Sequence, residues 1–129
     1  MAKNTLEVHI VKMCKKLWNS TKWSLAGFRY AFNNELSFKL EFLLFMLLTP
    51  IAIFLAADVN QLFFLLSSCY TVLIVELINT AIEVIVDRIG LEHNELSKHA
   101  KDVGSAAVFL SIIFMLLVWS IVLYSNVYS

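Results

Sequence analysis

Glu76, Asn79, Glu83 and Asp87 are set into the largely apolar run from Val72 to Arg88. At about 100° per residue, Glu83 lies about 20° from Glu76 around a helix, Asp87 about 20° to the other side, and Asn79 about 60° off. One narrow polar stripe thus runs along a greasy helix. Ionisable groups at membrane depth cost roughly 2.5–3.5 kcal/mol each on insertion scales and face a bundle interior or a water-filled cavity. Carboxylate oxygens at one level suit a hard divalent cation, and a more deeply set carboxylate can serve as a general base. The plain alternative is a seam that fixes only helix packing, for which a single Asn would serve at lower cost.

A second polar cluster, Asn33, Asn34, Glu35, Lys39 and Glu41, precedes the apolar run that starts at Phe42. Glu35 is expected at the same membrane edge as Glu83 and Asp87, which brings two or three carboxylates within reach of one Mg²⁺ whose shell is completed by phosphate oxygens and water. A third cluster ends in Lys101 and Asp102, immediately before the small residues Gly104, Ser105, Ala106 and Ala107, which allow close helix approach. Glu76 is the deepest carboxylate. Acidic ligands, a cation and a buried base are the parts of a phosphoryl-transfer site. With only Gly27, Gly90 and Gly104 available, the chain has no glycine-rich phosphate loop.

These residues need elements to hold them. A chain of 129 residues that is 60% hydrophobic and 16% charged is an all-α integral membrane protein with room for a single domain. Three segments reach the length of about 20 apolar residues required to cross a bilayer, at about 36–57, 62–86 and 104–125. Pro50 is placed to kink the first span, and Arg88-Ile89-Gly90 to stop the second. Before the spans, apolar residues at Leu6, Ile10, Met13, Leu17, Leu25, Phe28 and Phe32 alternate with lysines, which predicts an amphipathic surface helix over about 5–33. No cleaved signal peptide is expected. All ten Lys and Arg fall before or at the opening of span one, or between spans two and three, so the N-terminus reads as cytoplasmic and the C-terminus as lying on the opposite side. Cys14 and Cys69 read as inert, and His9, His93 and His99 show no metal-ligand spacing.

The run Val-Glu-Leu-Ile-Asn-Thr-Ala-Ile-Glu-Val-Ile-Val-Asp-Arg-Ile-Gly, followed by Glu-Leu-Ser and Ala-Lys-Asp-Val-Gly-Ser-Ala-Ala-Val, resembles the prokaryotic diacylglycerol kinase family over nearly the whole chain. It is closer to the Gram-negative members than to the Gram-positive undecaprenol kinases, chiefly through Asp87-Arg88-Ile89-Gly90 and Gly104-Ser105-Ala106-Ala107. The resemblance implies a homotrimer of three-span subunits in the bacterial inner membrane, with a surface helix and sites shared between subunits, that phosphorylates diacylglycerol from Mg-ATP at the cytoplasmic face. It implies Glu76 as the general base and Glu35 and Glu83 as holders of the metal and triphosphate. Lys101 and Asp102 would position ATP, bordered by Glu92, His93 and Asn94. Lys16 and Trp23 would lean over the nucleotide from the surface helix, while Arg29 and Ser105 would contact the lipid substrate. Asn79 and Asp87 would support this polar stripe. Lys16 stands where relatives often carry Arg, Trp23 where Tyr is common, and Ala26 at a commonly basic position.

Two alternatives accompany this reading: an undecaprenol kinase, and a small ion-coupled transporter with Glu76 as its protonatable site. Transporter sites lie near the midplane and open to both sides. Here every ionisable span residue except Glu76 gathers toward one boundary.

Overall fold

The computed structural model describes residues 2–90, 92 and 94–128. Among these, all regular structure is helical: α1 (Ala2–Asn34), α2 (Leu36–Leu55), α3 (Val59–Ile89) and α4 (Glu95–Tyr128). The last three are long and apolar enough to cross a membrane, with mean hydropathies of 2.1, 1.9 and 2.8. The chain divides into two compact units, Met1–Asn34 and Glu35–Ser129.

The first unit is α1. Its mid-helix Thr21 and Ser24 hydroxyls each donate to the carbonyl four residues back, at 3.0 Å, so these polar groups are satisfied locally. Lys22 Nζ stands 5.3 Å from the centre of the Trp18 ring, a cation–π pair. Leu17, Trp18, Trp23, Leu25 and Phe28 are all exposed.

In the second unit, α3 packs against both α2 and α4. Ala52 near the end of α2, Leu65 near the start of α3 and Val122 near the end of α4 form one buried cluster, so α3 runs antiparallel to its two neighbours. A second cluster joins Cys69, Val72 and Met115. Many large apolar side chains outside these clusters are exposed, among them Leu43, Leu47, Phe63, Ile78, Phe109, Leu117 and Ile121. Such surfaces belong in hydrocarbon, where close packing and hydrogen bonds, rather than expulsion of water, hold helices together.

The helix ends follow from local chemistry. The Asp58 carboxylate caps α3 by accepting from the backbone N–H groups of Asn60 and Gln61 at 2.7 and 2.9 Å, an N-cap arrangement. Gln61 Nε2 donates to Asn126 Oδ1 at 2.9 Å, and Asn126 Nδ2 donates to the Leu55 carbonyl at 2.7 Å. This clasp ties the end of α2 and the start of α3 to the end of α4. Helix α2 continues through Pro50, which has no N–H to donate to the carbonyl four residues back.

The spans depart from the sequence expectation at their edges. Helix α3 extends at both ends, and α4 begins at Glu95 rather than near 104 and reaches Tyr128. Asn94 explains the early start. Its Oδ1 accepts from the N–H groups of Leu96 and Ser97 at 2.9 and 3.2 Å, so the charge-rich approach to span three is the first turns of a helix rather than a loop.

Candidate active site

Glu35 is the single extended residue between α1 and α2, with φ −106° and ψ 118°, and its side chain makes no cap hydrogen bond. The carboxylate instead lines a polar cavity of about 320 Å³. Glu41 and Ser37 of α2, Glu76, Asn79 and Glu83 of α3, and Ser105 of α4 share the same cavity. Helix α2 with its N-cap and helix α3 thus bring four carboxylates to one space, and α4 adds the Ser105 hydroxyl.

Their exposures differ in a useful way. Glu76 is 3% exposed, whereas Glu83 is only partly buried. Asn79 Nδ2 donates to Glu83 Oε1 at 2.9 Å, which holds the Glu83 carboxylate one turn along the helix. Asn79 Oδ1 and Glu41 Oε2 are buried with no protein hydrogen-bond partner. Orphaned acceptors of this kind are costly in a folded chain and call for a ligand, ion or water. Gly104 makes the closeness of α3 and α4 possible here, because a β-carbon at this position would overlap Asn79 Oδ1.

A second cavity, of about 290 Å³, is lined by Asp87, Gly90, Glu92, Asn94, Lys98 and Lys101, with Val86 and Ser97. Lys101 Nζ donates to Asp87 Oδ1 at 2.5 Å, joining α3 to α4. Both partners are partly exposed, so the pair orients the ammonium more than it stabilises the fold.

The site residues named from the sequence fall into distinct places. Glu35, Glu76, Asn79, Glu83 and Ser105 meet in the first cavity. Asp87, Glu92, Asn94 and Lys101 meet in the second, where Asn94 also caps α4. Asp102 is exposed and lines neither cavity. Lys16, Trp23 and Arg29 are exposed residues of α1. His93 lies outside the described residues. Glu41, to which the family resemblance assigns no role, also lines the first cavity; a carboxylate just inside an apolar span is the kind of costly group that marks a site.

Comparison with known proteins bears on what this arrangement does. The family profile described as "Prokaryotic diacylglycerol kinase" matches residues 22–123. The chain belongs to the prokaryotic diacylglycerol kinase family. Its similar relatives include the diacylglycerol kinase of Haemophilus influenzae, 44% identical over 108 residues that cover 84% of this chain and 92% of that protein. The diacylglycerol kinase of Pseudomonas aeruginosa is 42% identical, over 84% of this chain and 89% of the relative. That of Escherichia coli K12 is 45% identical, over 81% and 85%. Three apolar helices of spanning length and membership of this kinase family together make the chain a bacterial membrane protein. All the cavity-lining residues of this diacylglycerol kinase family member lie within the matched segment.

Proposed function

We propose that the chain transfers the γ-phosphate of ATP to the primary hydroxyl of diacylglycerol, giving phosphatidic acid and ADP at the cytoplasmic face of the inner membrane. The observation that carries this reading is the near-complete burial of Glu76 in a polar cavity that also holds Glu35, Glu83 and Ser105. The names of the relatives supply the substrate.

In this reading Glu76 is the general base. It takes the proton of the lipid hydroxyl as the hydroxyl oxygen bonds to the γ-phosphorus and the bond from phosphorus to the β,γ-bridging oxygen breaks, with ADP leaving. Ser105 orients the glycerol end. Lys101, aimed by Asp87, neutralises charge on the nucleotide phosphates, with Asp102, Glu92, His93 and Asn94 around the nucleotide, and Lys16 and Trp23 are assigned to the nucleotide as well. Arg29 attends the lipid.

The donor set fits Mg²⁺. Glu35 and Glu83 offer hard carboxylate oxygens to one polar cavity. Among the described residues no three His, Cys, Asp or Glu side chains form a metal cluster, so Glu35 and Glu83 would hold the ion jointly with phosphate oxygens and water. Bound there, Mg²⁺ would neutralise charge developing on the transferred phosphoryl group. We further propose a homotrimer, because the exposed flanks of the polar stripe would be covered by neighbouring subunits. Helix α1 would lie on the cytoplasmic membrane surface with its lysines toward anionic headgroups.

The test offers purified protein diacylglycerol and undecaprenol side by side with Mg-ATP and measures labelled phospholipid. Phosphatidic acid as the main product supports the reading. Phosphorylated undecaprenol as the main product, or no labelled lipid, overturns it. The Gln61–Asn126 clasp closes the end of the bundle away from Glu35 and so disfavours a transport path.

A further inference from the structure

A small apolar crevice of about 80 Å³ lies beside the polar cavity, between α2, α3 and α4. The two spaces share two lining residues, Glu41 and Ile112. Beyond Glu41 the crevice walls are hydrocarbon and sulfur, with Leu48 from α2, Cys69 and Val72 from α3, and Met115 from α4. Leu48 lies about 10 Å along α2 from Glu41 at 1.5 Å rise per residue. A polar chamber thus passes, across one carboxylate, into an apolar slot of about two helical turns.

We propose that this crevice receives the proximal carbons of one acyl chain of the lipid substrate, with Cys69 forming its inner wall. The proposal rests on the kinase reading above and adds where the lipid's hydrocarbon goes. An acceptor whose hydroxyl reaches Glu76 and whose glycerol lies near Ser105 must place the carbons next to its head somewhere close by. The shared residues Glu41 and Ile112 mark the only contact the two spaces need. An unfilled slot forfeits the dispersion contacts of its lining atoms, which methylenes would restore. Its volume suits part of one chain, the remainder continuing into the bilayer. A soluble acceptor would have no use for it.

Cys69 also provides the test. The only other cysteine, Cys14, is exposed on α1, so Cys14→Ser leaves Cys69 as a single thiol. In micelles, N-ethylmaleimide labelling of Cys69 in this full-length variant is expected to slow at least five-fold with dioctanoylglycerol and to be unchanged by ATP. Independently, Cys69→Phe should raise KM for dioctanoylglycerol at least five-fold while KM for ATP stays within two-fold. If Cys69 is unreactive with and without lipid, the KM comparison decides; if Cys69→Phe does not fold, the labelling decides. Unprotected labelling in protein that phosphorylates the lipid, or an unaltered lipid KM, overturns the crevice alone. If the Cys14→Ser chain phosphorylates no diacylglycerol, the kinase reading falls and this proposal with it.

Discussion

Gly104 of α4 lies directly against Asn79 of α3, so that a β-carbon at 104 would collide with the Asn79 amide oxygen. The same amide donates to Glu83. A packing contact and a site carboxylate are therefore coupled through one side chain. Gly104→Ala should push Asn79 away and release Glu83. Overpacking of this kind costs about 1–3 kcal/mol, partly offset by about 1 kcal/mol of helix propensity. We expect a small fall in unfolding temperature in detergent but at least a ten-fold loss of phosphoryl transfer. Gly27→Ala, with open space around the added carbon, should not lower the unfolding temperature.

Lys101 and Asp87 join α3 to α4 at an exposed level. Pairs of this kind are screened by water and salt. Lys101→Met should leave the unfolding temperature within experimental error and raise KM for ATP at least ten-fold. A lipid KM that rose instead would place Lys101 on the wrong substrate.

Glu35 reaches the cavity from the break before α2, and Glu83 from the interior of α3. Glu35→Ala and Glu83→Ala should each shift the Mg²⁺ activation curve to higher concentration. An unchanged metal titration in either variant removes that residue as a ligand.

The far-end clasp carries a purely structural expectation. Asn126→Ala leaves the Leu55 carbonyl and the Gln61 amide without their partner, at a cost of about 1–3 kcal/mol for unsatisfied groups. Unfolding temperature should fall, while turnover per folded molecule stays within two-fold.

Much of this architecture was legible because membrane helices write themselves in hydropathy. The spans, the break at Glu35 and the shared face of Glu76 and Glu83 followed from apolar length and the angular spacing of the stripe. Three things did not follow. The start of α4 depends on Asn94, whose capping signature sat inside a charged stretch that reads equally well as loop. The Gln61–Asn126 clasp joins residues far apart in sequence that carry no charge to attract notice. Glu41 falls well off the angular line of Glu35 on α2, so only the three-helix packing shows it reaching the cavity.

The central claim is that Glu76 removes the proton of the lipid hydroxyl. Glu76→Gln keeps the shape and the hydrogen-bonding capacity of the side chain but removes the base. In a mixed-micelle assay with diacylglycerol and saturating Mg-ATP, kcat should fall at least 10³-fold, within the range of about 10²–10⁴ for loss of general-base catalysis, with the unfolding temperature unchanged or raised. Turnover within ten-fold of the unsubstituted chain would contradict the account.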